Sequence, residues 1–434
     1  MPEHREFLTL EELQRSSRAL VAEFPGVARL EDVGRSAEGR PIELLTIGDG
    51  PRSVLLVGVP HPNEPIGTLT AEFLARLFCE NAALREHLGV TLHVVKVADP
   101  DGLVLNEGWF KGTFSPLRYA LNYYRPPHRE QVEWSFPVDY KTLRFTTPSA
   151  ETQTVMRVME RVRPELFYSL HNAGFCGVYF YVSDDRPALY EPLYALVDAQ
   201  GLAIHRGEPE VPYLKTLAPA VYGLFGIADT YDYLATTLGE DPAPTIEAGT
   251  CSEDWLRRLG DDPFALVCEL PYYTSPALED TTPAGCSRRD AILKGLEAAG
   301  TIHARVAETL NAIGTAPDHR LTRSVAEYVR KTPKRVSAER AHAAADEFAR
   351  EATGAQVCDA TLCTPFHHLL YLGEAARVAM LAGASALAER VDATLEALAG
   401  DLVRTSALRV LPIRPLVSVQ AGAGLLALAA TGDR

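Results

Sequence analysis

The sequence predicts an α/β fold: a mixed, mostly parallel sheet flanked by helices, with a helical domain appended after it. Three observations carry this. Continuous apolar runs, the form taken by strands covered on both faces, alternate with helical patterns over the first 314 residues. The composition then shifts after about residue 285, and 320–434 reads almost wholly helical, with alanine-rich segments at 338–353, 369–386 and 387–402. A chain of 434 residues is also too long for one ordinary core, so two units are expected, 1–314 and 315–434, parted at the helix-breaking Thr315-Ala316-Pro317.

The elements follow in order. Thr9-Leu10-Glu11-Glu12 is a capping-box pattern. It opens a helix bearing Leu13, Leu20, Val21 and Phe24, which Pro25-Gly26 ends. Strands at 28–33 and 42–47 flank the turn residues Ser36 to Gly39 and read as a hairpin. Ser53 to Val59 is a buried strand, and a helix at 68–78 follows it. A second buried strand, 90–97, ends at the turn Asp99-Pro100-Asp101-Gly102. A helix at 151–162 leads to a strand at 166–170, with further strands at 179–182 and 265–269. Arg288 to Ile313 is one long amphipathic helix.

Bulk properties narrow the function. Hydrophobic residues make up 47% and charged residues 23%, an ordinary globular composition. No run is read as approaching the ~18 apolar residues that span a bilayer, and the charged N-terminus lacks a secretory apolar core. The cysteines Cys79, Cys176, Cys251, Cys268, Cys286, Cys358 and Cys363 are scattered, so they are expected to be reduced thiols of a cytoplasmic protein. A formal net charge of −15 argues against nucleic acid and anionic membrane as partners.

Chemistry concentrates at strand ends. His61 and Glu64 follow the strand 53–59, and His171 follows the strand 166–170. The carboxyl ends of strands are where open α/β sheets carry their sites. Two histidines and a glutamate with one open position form a catalytic zinc arrangement, in which zinc lowers the pKa of a bound water toward ~7. Glu269 stands at a third strand end, where it could collect that water's proton. By spacing alone, a histidine after a strand is more often a loop or core residue than a ligand, and His-x-x-Glu is a short pattern.

Several motifs in order resemble the pancreatic-type zinc carboxypeptidase family over residues 8–314. Val33 to Ile42 looks like that family's hairpin, and His61-Pro62-Asn63-Glu64 is similar to its zinc motif. Pro100-Asp101-Gly102 resembles its Asn-Pro-Asp-Gly turn, with Asp99 in place of Asn. Ser169-Leu170-His171-Asn172 looks like the segment bearing the second zinc histidine, with Asn172 where Ser is usual. Ser252 to Trp255 and Phe264 to Pro271 resemble the pocket segment and the strand with the catalytic glutamate.

The resemblance implies the roles. His61, Glu64 and His171 would hold one zinc per chain, and Glu269 would be the general base. Asn122 and Arg125 would grip the substrate carboxylate, although two residues separate them. Lys111 would supply the oxyanion cation where the family has Arg. Glu253 aligns with the base of the side-chain pocket and would favour a basic terminal residue. The family's mobile phenol has no Tyr at Thr245 to Glu247, so Tyr272 or Tyr273 is left to fill that role.

The implied activity is removal of the C-terminal residue from a peptide or peptide-like amide. The alternative is a zinc-dependent deacylase of N-acyl amino acids, because His61 to Pro65 also looks like the aspartoacylase and desuccinylase segment. In the tail, 320–434, no motif is recognised. Its apolar helix stripes are expected to pack on the catalytic domain or to join two subunits into a homo-oligomer.

Overall fold

A computed structural model describes residues 2–175, 177–260 and 262–432. The main sheet comprises β1 (Ala28–Arg35), β2 (Pro41–Ile47), β3 (Arg52–Gly58), β4 (Val90–Val95), β5 (Leu166–Leu170), β6 (Tyr179–Val182), β7 (Thr216–Ala218), β8 (Val221–Gly223) and β9 (Phe264–Glu269). Their order across the sheet is β1-β2-β4-β3-β5-β9-β6-β8-β7. The centre, β4-β3-β5-β9, is parallel. The hairpin β1-β2 joins it antiparallel through β4, and β6 turns back against β9.

The central strands are buried on both faces, as their continuous apolar runs require. Val54, Leu56, Leu166, Tyr168 and Leu170 point to one side. Leu55, Val57, Phe167 and Ala265 point to the other. The covering helices are α1 (Leu10–Glu23), α2 (Ile66–Glu80), α3 (Pro116–Asn122), α4 (Ala150–Val162), α5 (Pro187–Ala199) and α6 (Ser252–Arg258). The helices α7 (Arg288–Ile313), α8 (Arg320–Ala343), α9 (Thr364–Leu381), α10 (Ser385–Ser406) and α11 (Ile413–Thr431) complete the chain. Thr9 and Glu12 form the expected capping box of α1.

The expected boundary at 314/315 falls in the loop between α7 and α8, but the core continues across it. Leu369, Leu372, Leu416 and Val417 share one buried cluster with Leu56 and Leu170. Gly373 of α9 permits the close pass over α3, since a Cβ there would stand 1.9 Å from Ala120 O. The alanine-rich stretch 338–353 is not one helix: α8 ends at Ala343, and Glu351–Thr353 pairs with Pro283–Ser287 as a strand.

One composition reading needs correction. Helix α11 has 19 residues with a mean hydropathy of 1.4, so by length and composition it could cross a membrane. In this fold it is a core helix lying against α2, α5, β5 and β9. Its buried Gln420 makes the reason plain: the amide donates to His171 O at 2.9 Å and Cys268 O at 3.3 Å, and accepts from Thr70 Oγ1 at 2.7 Å. A buried amide with its partners supplied by the sheet and α2 is satisfied only where α11 lies now.

Arg320 anchors the start of α8. Its guanidinium meets Asp101 at 2.7 Å, Glu38 at 3.0 Å and Glu151 at 3.5 Å. Asp101 also accepts from Ser36 Oγ at 2.7 Å and from Arg40 at 2.7 Å. The hairpin turn and the Pro-Asp-Gly turn singled out in the sequence therefore meet at one buried carboxylate. Cys176 lies outside the described residues; no disulfide joins the other six cysteines among the described residues.

Candidate metal centre and cleft

The site forms where β3, β5 and β9 end side by side. After β3 the chain turns through Val59, which is fully buried with φ of 55°. A β-branched residue rarely adopts this left-handed conformation, and such strain gathers at functional sites. The turn delivers His61, and Glu64 N–H closes back onto His61 O at 3.1 Å. Gly67 then lets α2 abut the end of β5, because a Cβ there would lie 2.6 Å from the Leu170 side chain.

Asn172 ties the strand ends together. Its N–H donates to Glu64 Oε2 at 3.1 Å, and its Oδ1 accepts from Ile66 N–H at 3.2 Å. The departure from the usual Ser thus has a job: the longer amide bridges the His61–Glu64 turn to the His171 strand.

His61, Glu64 and His171 are all buried and bring one donor atom each within 4.8 Å of one another. Ser169 Oγ lies 2.9 Å from His171 Nε2, so Nδ1 faces inward, 3.1 Å from Glu64 Oε2 and 3.8 Å from Glu269 Oε1. Ring contact between His61 and His171 is edge-on at 4.9 Å. His61 Nδ1 and Glu269 Oε2 are buried without a hydrogen-bond partner.

Charge makes the same point. Burial, helped by the Arg125 and His171 charges, holds the His61 pKa well below its usual value, so the ring is neutral with a free lone pair. Burial opposes protonation of His171 too. There the hydrogen bond to Glu64 and the charges of Glu64, Glu269 and Glu133 win, raising it to about 9. Burial and the Glu64 charge push Glu269 well above the carboxylate range, with His171 opposing. Orphaned buried donors, a nitrogen-nitrogen-oxygen set and an acid-rich surround are what a bound zinc ion would satisfy.

The other residues drawn from the resemblance divide. Arg125 joins the cluster, with Nη1 2.8 Å from Glu64 Oε1 and 3.4 Å from Asn63 Oδ1, and Nε donating to Gln131 at 3.2 Å. Its backbone N–H donates to Glu374 of α9 at 2.9 Å. Asn122 does not join: it caps α3 by donating to Arg118 O at 3.0 Å and packs on Gly108. Lys111 lies by α1, 2.6 Å from Glu12 and 4.0 Å from Glu6, with no ion pair to the cluster among the described residues.

Glu253 is buried in α6 and faces Arg257 Nε at 2.6 Å. Burial, opposed by Arg257, raises its pKa to about 7. Tyr272 donates to Asn63 O at 2.8 Å, and Tyr273 is fully buried and stacked on Phe114 at 5.3 Å, so both phenols sit in the core.

Some residues near the site carry no sequence signal. Glu133 is buried, accepts from Ser252 N–H at 2.9 Å and Oγ at 2.6 Å, and acts on His171 and Glu64. Glu210 accepts from Tyr181 at 2.7 Å and Tyr179 at 3.3 Å, and acts on Glu269. Glu374 lies 249 residues downstream of the Arg125 N–H that it receives, beyond the reach of any local pattern.

Comparison with known proteins bears on this geometry. The family model of the zinc carboxypeptidases matches residues 13–206, which include His61, Glu64 and His171. Over these residues the chain is similar to the zinc carboxypeptidases. Carboxypeptidase B of Astacus astacus is 32% identical over 89 residues, 19% of this chain and 29% of that protein. Carboxypeptidase SOL1 of Arabidopsis thaliana is 23% identical over 163 residues, 33% of this chain and 32% of that protein. The chain thus matches about three tenths of the length of these curated relatives. Among solved structures, carboxypeptidase A of Helicoverpa armigera aligns with a TM-score of 0.41 and 14% identity, covering 78% of this chain and 74% of that one. Bovine thrombin-activatable fibrinolysis inhibitor, solved with tick carboxypeptidase inhibitor, aligns at 0.38 with 12% identity, covering 60% of this chain and 86% of that one. Likenesses of that score carry no weight for function.

Proposed function

We propose that the chain is a zinc-dependent metallocarboxypeptidase that removes the C-terminal residue from a peptide or peptide-like amide. The observation that carries the reading is the convergence of His61, Glu64 and His171 beside the unpartnered carboxylate oxygen of Glu269. Zinc, one per chain on those three ligands, would supply Lewis acidity toward the attacking water and the scissile carbonyl.

The chain's own groups do the rest. Glu269 takes the proton of the water and returns it to the departing amine. Ser169 orients His171, and Asn172 orients Glu64. Arg125, the cation touching the cluster, takes the oxyanion role that the resemblance suggested for Lys111.

The test uses the full chain loaded with zinc and a panel of N-blocked dipeptides, as free acids and as C-terminal amides. Cleavage of the free acids, lost with a chelator and restored by zinc, is the expected result. No zinc-dependent cleavage overturns the reading. Action confined to N-acyl amino acids replaces it with the deacylase.

A further inference from the structure

Arg335 of α8 has a side chain 78% exposed, and its neighbours on the helix place it at a junction of elements. Ser324, Tyr328, Lys331 and Arg335 recur at helical spacing and share one face of α8. On that face Ser324 donates to Glu374, the residue that receives the Arg125 N–H. Tyr328 stacks on Tyr371 at 4.1 Å and bonds His368 Nδ1 at 2.6 Å. Further along α8, His342 meets Tyr233 at 5.7 Å, and Tyr233 meets Tyr213 at 5.0 Å. Arg335 therefore stands between α9 and the loop that holds Glu210 and Tyr213.

Its charge acts on groups from three stretches of chain, His128, Tyr213 and the α9 residues His367 and Tyr371, and Glu210 acts back on it. In salt such interactions fade beyond ~8–10 Å. Glu210 also acts on Arg125 and Glu269, and it is held by Tyr179, the register partner of Glu269. The start of α9 closes the same space, with His367 Nε2 3.8 Å from where a Gly174 Cβ would be, three residues past His171. Arg335 thus extends from α8 on the side where α9 and the Glu210 loop approach the strand ends that carry the metal centre.

Its fork is free. Nε donates to Glu339 at 2.9 Å, and the two terminal nitrogens have no protein partner among the described residues. The pair expected to grip a substrate carboxylate is otherwise placed: Asn122 caps its own helix, and Arg125 sits on the metal ligand Glu64, in the oxyanion role. We propose that Arg335, supplied by the appended helical region, grips the free carboxylate of the substrate. The proposal rests on the carboxypeptidase reading. A planar fork with two unbonded nitrogens matches a carboxylate in a way a lysine cannot.

The experiment compares wild type, Arg335→Gln and Arg335→Lys as full-length, zinc-loaded protein. Kinetics on a blocked dipeptide acid and its amide are paired with calorimetric titration of benzylsuccinate, a small dicarboxylate. For Arg335→Gln we expect KM for the acid to rise about 10- to 100-fold, with kcat within about twofold. The preference of acid over amide should collapse, and benzylsuccinate should bind correspondingly more weakly. Arg335→Lys should recover part of each loss. Unchanged KM, acid preference and benzylsuccinate affinity in Arg335→Gln overturn the proposal while leaving the carboxypeptidase reading intact. If wild type cleaves nothing but binds benzylsuccinate in an Arg335-dependent way, the anion grip stands and the hydrolase reading falls.

Discussion

The metal centre and the cleft wall opposite it are built in different ways. The centre comes from three adjacent parallel strands, and each ligand stands within three residues or so of a strand end or on the turn that follows it. The wall comes from α8, α9 and the loop around Glu210, elements brought together only by tertiary packing. Chemistry that needs fixed geometry sits on the sheet, and recognition sits on parts that sequence can vary without moving the ligands. The two are nevertheless bolted together, through Arg320 on the acidic turn cluster and Glu374 on Arg125.

The largest test of that partition is to end the chain at residue 315. Were the wall a mere accessory, the shortened chain would fold and bind zinc. We expect it to aggregate, because α11 covers β5 and β9 and its loss bares an apolar face. Soluble yield and light scattering decide this. The next test lies within the centre: His61→Ala should reduce zinc from about one per chain to near none, read by elemental analysis. Glu269→Gln should keep the zinc and lose about 10²–10⁴-fold in kcat.

Smaller effects probe the bolts. Arg125→Gln strips Glu64 of its buried partner and should weaken zinc affinity or turnover about 10–100-fold, measured by competition with a chelator. Glu374→Gln should act on stability alone. Burial raises Glu374 to about 8, against hydrogen bonds that favour its charged form. The folded state then holds its proton more tightly than the unfolded state, whose pKa is near ~4.3. Stability from this group is full below the unfolded value and is lost as pH rises toward the folded one. Thermal melts from pH 5 to 8 should therefore fall less steeply in the variant, by up to about 1.4 kcal/mol per pH unit.

What the sequence made legible follows the same division. His61, Glu64, His171 and Glu269 could be read because a buried strand announces itself as an apolar run and its end is one residue wide. The capping box at Thr9 and the long helix α7 were legible for the same local reason. Lys111 and Asn122 show the limit: nearness in sequence to Trp109 and Arg125 says nothing of direction, and helix capping and Glu12 claimed both side chains. Arg335 was invisible because a charged residue on a charged helix reads as a solvated face until α9 and the Glu210 loop enclose it. The membrane-length run of α11 was passed over, and its single Gln does not reveal which carbonyls await it.

That Gln420 has a consequence in time. It lies 152 positions after Cys268, whose carbonyl it holds together with that of His171. At ~5–20 residues per second of synthesis, the clamp arrives about 8–30 s after the strand that carries Glu269 has been made. During that interval His61, Glu64, His171 and Glu269 already exist as polymer, but the two strand ends that aim them lack their shared restraint. A growing chain of this design lacks the Gln420 clamp until its apolar helix α11 has emerged and docked, so the order of manufacture itself sets when the strand ends are fixed.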